Sequence, residues 1–555
     1  MSMFTLQTLG LILLFGLLGL LIGWLIRSFF CKPGTGGGQA NLSSSAKGGS
    51  AAGGGTHSAS AGSTGTASTK SSSSGDINTA TAAAGAAAVA GAAAIASSDS
   101  ADASVDESGT ATGSNKQTEA RALRNEAETL LNENFSASYG ASHIIIGAGP
   151  AGVVAAETIR KLDSTANIII IGDEPEAPYS RMAIPYFLEE NIAAEGTHLR
   201  KSENHYDNAD IQLISGRVKH VDTENKHVET ANGLKLGYDK LLIATGSHPL
   251  TPPIPGLDNP KVGNCWDLAD SRKIIENVKP GSTVVQIGAG FIGCIILESL
   301  VKRGANLTVV EMDNRMVPRM LDDQCGGMLK SWCESKGVTV LTETQVQSIE
   351  DNGDRVKVNL SKGEPIIADF VISATGVASN TDFLEGSGIN VDQGVLVNHH
   401  LETNVPGVYA AGDVAQGIDF TTGGYSVHAI QPTAADHGTI SAKNMVKGNA
   451  TRHKGSLQMN ILSTLDLIST SYGAWEGVEG GEYTELVDKD KYHYIRLQFK
   501  DDQLVGANTL GITQNIGALR GLIQNKSKLG PWKQRLMENP LHFMDAYVSL
   551  TGNHG

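Results

Sequence analysis

The chain has few cysteines and aromatic residues, and it is short of positive charge. Its 555 residues include 5 cysteines, 5% aromatics, 43 basic and 58 acidic residues, for a formal net charge of −15 at pH 7. The cysteines form no CxxC pair, which argues against a disulfide-stapled secreted scaffold. The acidic balance argues against nucleic acid as a partner, because phosphate binding needs concentrated Lys and Arg. We expect no metal site.

Charge is also missing from the first 26 residues, which are mostly apolar. About 20 apolar residues cross a hydrocarbon core of ~30 Å, so we expect a transmembrane anchor in residues 1–32. A cleaved signal peptide or a lipoprotein would need a small-residue cleavage site, which is not evident. Arg27 and Lys32 follow the span. By the positive-inside rule, they predict a single-pass protein of the inner (cytoplasmic) membrane with its catalytic body on the cytoplasmic side.

Large apolar side chains are nearly absent from residues 33–117, which are rich in Gly, Ser, Ala and Thr. Such a segment buries too little surface to offset its ordering entropy, so we expect a disordered linker. Residues 118–141 have helical spacing and good helix formers, which predicts a helical lead-in to the first domain.

The first motif with clear chemistry is a GxGxxG loop at Gly147, Gly149 and Gly152, with Pro150 and Ala151 inside it. A buried-strand pattern precedes it and a helical pattern follows, which is the frame of a dinucleotide-binding fold. The next strand pattern, 167–171, is followed by Glu174, a carboxylate that can bond a ribose hydroxyl.

The same pattern occurs a second time. A strand at 283–287 runs into Gly288, Gly290 and Gly293, and a later strand ends at Glu311. A carboxylate there repels a 2′-phosphate, so the second site favours NADH over NADPH. Arg315 is a weak signal in the opposite direction.

Three further strand-to-turn segments end at Thr245–Gly246, at Gly376 and at Gly412–Asp413. With the two glycine loops, they make the chain resemble the pyridine nucleotide-disulfide oxidoreductase flavoproteins over residues 142–450. The resemblance implies that the first loop binds FAD and the second binds NADH. It also implies the following FAD contacts: Glu174 at the adenosine ribose, Val218 at the adenine, Thr245 and Gly246 along the cofactor, and Asp413 at the ribityl and pyrophosphate.

The expected fold class is α/β, with two Rossmann-like domains and a C-terminal α+β domain. We place the FAD-binding domain at 142–260 and 375–448, the NAD-binding domain at 261–374 and the C-terminal interface or dimerisation domain at 449–555. A hairpin is predicted near 492–507, where two apolar strand patterns flank a polar turn.

Redox cysteines typical of this family are missing. Met182 or Ala183 stands where one branch has a single cysteine before a Leu-Pro-Tyr step, and a thioether cannot form a mixed disulfide. The segment 178–181, Pro-Tyr-Ser-Arg, is instead similar to the rubredoxin- and ferredoxin-reductase branch and to the flavin module of NADH-dependent nitrite reductase. That resemblance implies a position near the flavin for Arg181. We interpret the cysteines at 265, 294, 325 and 333 as small buried residues.

These observations predict an FAD-dependent NADH oxidoreductase with a small electron-transfer protein, of rubredoxin or ferredoxin type, as acceptor. No catalytic side chain is assigned, because hydride transfer to a flavin needs mainly position and electrostatics. His428 is a candidate near the ring or a packing residue. A membrane quinone is the alternative acceptor, and a redox-sensing scaffold resembling apoptosis-inducing factor is the alternative function. A homodimer is compatible with the pattern.

Overall fold

The computed structural model describes residues 142–552. The expected anchor, linker and lead-in helix lie outside the described residues. Within 142–552, no helix is long and apolar enough to span a bilayer.

The first part of the described chain alternates strands and helices. Its elements are β1 (Ser142–Ile146), α1 (Pro150–Leu162), β2 (Asn167–Gly172), α2 (Ile184–Leu188), α3 (His205–Asn208), β3 (Gln212–Ser215), β4 (Val218–Asp222), β5 (His227–Thr230), β6 (Lys235–Gly237), β7 (Lys240–Ile243) and β8 (Ser247–Pro249). Two 3-10 turns, Arg181–Ala183 and Ala194–Thr197, flank α2.

The second part repeats this alternation. Its elements are β9 (Val262–Gly263), α4 (Leu268–Asn277), β10 (Thr283–Ile287), α5 (Phe291–Lys302), β11 (Asn306–Val310), α6 (Asp323–Ser335), β12 (Thr339–Leu341), β13 (Val346–Asn352), β14 (Arg355–Leu360), β15 (Ile366–Ala368), β16 (Phe370–Ser373) and β17 (Val377–Ser379). Strands β9, β10, β11, β12 and β16 form a parallel sheet in the order β12-β11-β10-β16-β9.

The chain then returns to the first sheet. The elements here are a 3-10 turn (Asp382–Leu384), β18 (Val395–Leu396), β19 (Val408–Ala410), a 3-10 turn (Gly412–Val414), β20 (Ala415–Ile418), β21 (Tyr425–Val427) and α7 (Gln431–Lys447). Strand β19 pairs with β7, which completes a parallel sheet in the order β19-β7-β1-β2-β3. This return places the Gly412 turn at the same sheet edge as the first glycine loop.

The apolar content of these strands explains the two parallel sheets. Strand β2 reads NIIIIG and is buried along almost its whole length, as expected for a sheet covered on both faces. Helix α1 packs on one face, and α7 packs beside α1. The α/β fold class is confirmed.

The last part is an antiparallel sheet followed by helices. Its elements are β22 (Met459–Thr464), β23 (Leu467–Gly473), β24 (Glu482–Asp488), β25 (His493–Lys500), β26 (Gln503–Leu510), α8 (Gly517–Gln524), α9 (Pro531–Glu538), a 3-10 turn (Pro540–His542) and α10 (Phe543–Thr551). The sheet order is β22-β23-β26-β25-β24, and β25 and β26 form the hairpin that the sequence predicts.

Candidate active site

The first glycine loop joins β1 to α1, and two of its glycines are required by sterics. A Cβ at Gly147, where φ is +113°, would lie 2.1 Å from the Ala244 carbonyl oxygen, and one at Gly152 would lie 2.0 Å from the Gly147 oxygen. Gly149 faces open space, with no atom within 4 Å of its Cβ position. Helix α1 starts there with a proline and without a side-chain cap, so its free N–H groups are available to an anion.

A cavity of about 400 Å³ opens beside this loop. The predicted FAD contacts that line it are Gly147, Gly149, Pro150, Ala151, Glu174, Arg181, Thr245, Gly246, Gly412 and Asp413. Four segments far apart in the sequence therefore meet at one site. The meeting follows from the parallel sheet, because β1, β2, β7 and β19 all end at the same edge.

Asp413 lies in the 3-10 turn after β19, on the cavity wall. Its carboxylate accepts a hydrogen bond from the Ser247 hydroxyl at 3.2 Å, and burial raises its pKa. Sequence reasoning missed Ser247, although it directly follows the predicted Thr245–Gly246 turn. The Asp413 backbone oxygen also accepts from Ser379 Oγ at 2.9 Å, so both ends of the residue are fixed.

Glu174 follows β2, but its carboxylate is engaged within the protein. Oε1 is 2.7 Å from Arg181 Nη2, and Oε2 accepts from the Tyr179 hydroxyl at 2.5 Å. Asp173 also lines the cavity, and its side chain is 54% exposed. Asp173 is therefore the more accessible carboxylate at the strand end, and the ribose contact of Glu174 stays a prediction.

Arg181 lies on the cavity wall and contacts aromatic rings as well as Glu174. Its guanidinium carbon is 5.1 Å from the Trp266 ring centroid and 5.6 Å from that of Tyr179. These contacts connect the segment after β2 to the segment just before α4. Sequence reasoning missed Trp266, because nothing in its neighbourhood marks it as a partner of an arginine 85 positions earlier.

Helix α7 begins at the cavity with Gln431 and has no side-chain cap, so its first N–H groups supply a positive field. Ser180 Oγ donates to Gln431 Oε1 at 2.5 Å and holds this end in place. His428 does not line the cavity. Its buried ring packs beside Asp419, with Nε2 3.1 Å from Asp419 Oδ2, so the packing alternative fits its position.

His437 lies one and a half turns further along α7. Its Nδ1 accepts from the Gly412 N–H at 3.4 Å, and its Nε2 is 2.9 Å from Ser456 Oγ. Burial lowers the pKa of His437 to about 3. The neutral ring therefore supports the turn that carries Asp413.

The second glycine loop, between β10 and α5, repeats the geometry of the first. A Cβ at Gly288 would lie 2.5 Å from the Ala374 oxygen, and one at Gly293 would lie 2.6 Å from the Gly288 oxygen. Gly290 again faces open space. Phe291 and Ile292, the first residues of α5, line the same cavity as the first loop. The two loops thus approach one chamber.

Glu311 follows β11 and is 5% exposed. Its Oε2 accepts from the Ala289 N–H at 2.7 Å, and its Oε1 accepts from the Asp313 N–H at 2.9 Å. The carboxylate thus holds the glycine loop from beneath, which the sequence pattern does not reveal. Its contact with an NADH ribose stays a prediction.

Arg315, the signal for NADPH, is engaged elsewhere. Its guanidinium donates to the Leu321 and Pro318 carbonyls at 2.8 and 3.2 Å and pairs with Asp323 at 2.7 Å. These bonds fix the segment after β11 and occupy the Arg315 guanidinium; the preference for NADH over NADPH stays a prediction.

Two other predicted contacts lie away from the cavity wall. Val218 is 6% exposed in the core beneath the first sheet, and its contact with the adenine stays a prediction. Gly376, with φ of +117°, is in the turn between β16 and β17, beside Leu250.

The four described cysteines are buried, as the sequence predicts. Cys265 lines the cavity, but burial and the carboxylates of Asp270 and Asp267 raise the pKa of its thiol. Met182 lines the cavity and is 52% exposed. Within residues 142–552, no cluster of His, Cys, Asp and Glu could hold a metal ion.

The C-terminal sheet also reaches the cavity, through residues 459–461 of β22. Ile461 is 51% exposed, so it and Met182 form an apolar border. Open space faces Gly149 and Gly290, and a helix begins at each of these spaces. An apolar chamber lies between them, so the geometry fits a pair of dinucleotides. When bound there, FAD supplies acceptance of hydride from NADH and release of electrons to an acceptor.

Comparison with known proteins supports the same cofactors. A model of the pyridine nucleotide-disulphide oxidoreductase family matches residues 141–431. The chain is 29% identical over 401 residues to the epsilon subunit of NADH-dependent phenylglyoxylate dehydrogenase from Aromatoleum evansii, covering 72% of this chain and 95% of that protein. It is 28% identical over 277 residues to the ferredoxin–NAD(+) reductase subunit of the benzene 1,2-dioxygenase system from Pseudomonas putida, covering 50% and 67%.

Among solved structures, an NAD-dependent persulfide reductase from A. fulgidus superposes with a TM-score of 0.66 at 25% identity, covering 70% of this chain and 78% of that one. The family match spans more than half of the chain and includes both glycine loops. The chain belongs to the pyridine nucleotide-disulphide oxidoreductase family, and it is an FAD-dependent NAD(P)H oxidoreductase that transfers electrons from NADH.

Proposed function

We propose that this protein is a membrane-tethered NADH:acceptor reductase whose acceptor is a small electron-transfer protein of ferredoxin or rubredoxin type. The observation that carries the proposal is the side chain beside the cavity at position 182. Met182 lines the cavity, and Met182 or Ala183 stands where the thiol branch that the segment resembles has its cysteine. A thioether forms neither a thiolate nor a mixed disulfide, so electrons leave the flavin without a thiol intermediate.

Cys265 does not replace the missing thiol. It is 7% exposed, and burial with two nearby carboxylates keeps it protonated by raising its pKa. A redox-active cysteine needs the opposite surroundings, namely positive charge and access to solvent. Reduction of a disulfide or persulfide substrate through Cys265 is therefore disfavoured.

The relatives support a protein as the acceptor. The Pseudomonas putida relative is named as a ferredoxin–NAD(+) reductase subunit, a name that pairs a ferredoxin with a nicotinamide nucleotide. The border of the chamber suits contact with a protein, because Met182 and Ile461 are half exposed beside the site of electron release. An acceptor that docks there would approach the flavin without having to enter the chamber.

The membrane part of the proposal rests on the sequence of residues 1–32 and on the two basic residues that follow the span. A tether of ~80 Gly- and Ser-rich residues without secondary structure would have an r.m.s. reach of roughly 50 Å, which would let the body move near a membrane surface. We place the catalytic body on the cytoplasmic side, where NADH is available.

Anaerobic stopped-flow reduction of the full-length protein in detergent tests the core of the proposal. NADH should bleach the flavin band near ~450 nm on the order of 1–10³ s⁻¹. The reduced protein is then mixed with a ferredoxin, a rubredoxin or a soluble quinone. Rapid reoxidation by the proteins and slow reoxidation by the quinone is the expected result, and the reverse order would assign a quinone acceptor. Slow bleaching with a stable long-wavelength band would instead indicate a redox sensor.

A cysteine substitution tests the absence of thiol chemistry. Cys265→Ala should retain turnover with a protein acceptor within about twofold of the parent. Cys325→Ala is the matched control, because that residue is also buried but lies away from the chamber, in α6. Loss of turnover in Cys265→Ala alone would contradict the proposal.

A further inference from the structure

Ala289, in the second glycine loop, is bound through both its N–H and its carbonyl by the segment that follows β11. The Ala289 N–H donates to Glu311 at 2.7 Å, and the Ala289 carbonyl accepts from the Val317 N–H at 2.8 Å. Ala289 is completely buried. The position of this loop, on which the pyrophosphate of NADH would rest, therefore depends on where residues 311–317 lie.

Val317 makes its bond to Ala289 from an unfavourable backbone conformation. Its φ is +51°, in the left-handed region, which is an outlier for a β-branched residue. Such a conformation persists only where the surrounding structure enforces it. The N–H groups of Met320 and Leu321 both donate to the Val317 carbonyl, at 2.9 and 3.0 Å, so the turn at 317–321 is the element that needs support.

That support comes from the C-terminal sheet. Asn508 in β26 is completely buried, and its Nδ2 donates to the Met320 carbonyl at 2.9 Å. Tyr494 in β25 is also completely buried, and its hydroxyl donates to Asp322 Oδ2 at 2.5 Å. The other Asp322 oxygen caps α6 by accepting from the Cys325 N–H. Both contacts join residues more than 170 positions apart, and both reach the end of the strained turn.

We propose that Asn508 and Tyr494 are positioning residues for NADH: they hold the turn at 317–322, the turn holds Ala289, and Ala289 sets the shape of the second glycine loop. Loss of either contact lets the turn relax and weakens the binding of NADH. The inference rests on use of the second loop by NADH and does not depend on the acceptor.

The test compares three variants of the full-length FAD-loaded protein. Tyr494→Phe removes the hydroxyl and keeps the ring, and Asn508→Leu removes the amide at similar volume. Thr509→Val is the matched control: it breaks a buried bond in the same strand, Thr509 to Thr470 at 2.7 Å, without reaching the turn. The dependence of anaerobic flavin reduction on NADH concentration gives the Kd and the limiting rate separately. Hydrogen–deuterium exchange of residues 286–295 gives the mobility of the loop.

Tyr494→Phe and Asn508→Leu should each raise the Kd for NADH about fivefold, the effect of one lost hydrogen bond. The limiting rate and the FAD content should stay within about twofold of the parent, and the loop should exchange faster. The Thr509→Val control should leave the Kd and the exchange of the loop unchanged. An unchanged Kd in Tyr494→Phe, an equal rise in the control, or a loss confined to the limiting rate would overturn the proposal. Because no acceptor is present, a wrong acceptor assignment would not affect this result.

Discussion

Replacement of Glu311 should weaken the binding of NADH and narrow the preference for NADH over NADPH. The carboxylate accepts two backbone N–H groups, from Ala289 and Asp313, and it is almost completely buried. A hydrogen bond to a charged group contributes about 1.5–3 kcal/mol, so Glu311→Ala removes on the order of 3 kcal/mol or more of support for the loop. Glu311→Gln keeps one acceptor oxygen and should lose about half of that amount.

These losses translate into affinity because the loop must be in place to receive the pyrophosphate. Each 1.4 kcal/mol is tenfold in affinity, so we expect NADH to bind at least about tenfold more weakly to Glu311→Ala, with Glu311→Gln intermediate. NADPH should weaken less, because both variants also remove the negative charge that repels a 2′-phosphate. The ratio of the two dissociation constants should therefore move toward unity.

The assay is anaerobic flavin reduction at varied NADH and varied NADPH, with FAD content checked for each variant. Asp313→Asn is the control: it removes a neighbouring charge and leaves both hydrogen bonds of Glu311 in place. A ratio that stays constant while both affinities fall would show that Glu311 only supports the loop. A ratio that changes equally in Asp313→Asn would show that the preference comes from general charge and not from Glu311.

Three further outcomes are expected. Asp413→Ala should release FAD, which would be visible as a loss of yellow colour after gel filtration. Ser247→Ala should weaken FAD binding by a smaller factor, because it removes only one hydrogen bond to the Asp413 carboxylate. Asp173→Asn should weaken FAD binding more than Glu174→Gln, because the Glu174 carboxylate is already paired with Arg181. Equal loss of FAD from both variants would restore Glu174 as the ribose ligand. The unfolding free energy should fall as pH drops from 8 to 5, because burial lowers the pKa of His437 to about 3 and that of His143 to about 4. The unfolded chain binds these protons below about pH 6.5 while the folded chain does not, which costs about 2 kcal/mol per histidine at pH 5; a His143→Phe variant with an unchanged pH profile in chemical denaturation would contradict this reasoning.

The parts of the fold that follow a local pattern could be predicted from the sequence. Each glycine loop has a buried strand before it and a helix after it, and Gly147 and Gly288 both occupy positions where a Cβ would collide with backbone. The assignment of Asp413 to FAD comes from the family resemblance, and the structure places its side chain on the cavity wall. The hairpin of β25 and β26 is also local, since a two-residue polar turn separates two apolar strands.

Contacts between distant segments could not be predicted, since they depend on how the sheets pack. Ser180 bonds Gln431 across 251 positions, and no pattern near either residue indicates it. The role of Glu311 shows the same limit. The spacing identified the residue, but only the structure shows that backbone N–H groups occupy both of its oxygens.

The two halves of the repeated motif place their acidic residues in different surroundings. After β2, Asp173 is 54% exposed at the cavity wall, with Oδ2 3.9 Å from Arg217 Nη1. After β11, Glu311 is buried beneath the second loop, where it and Val317 both hydrogen-bond Ala289. Asn508 and Tyr494 in turn hold the turn that contains Val317. The C-terminal sheet thus contacts the turn at 317–322 through β25 and β26, and it borders the cavity through β22. Strands of one sheet make both contacts, so a partner docked beside Ile461 would lie on the same sheet that holds the turn at 317–322.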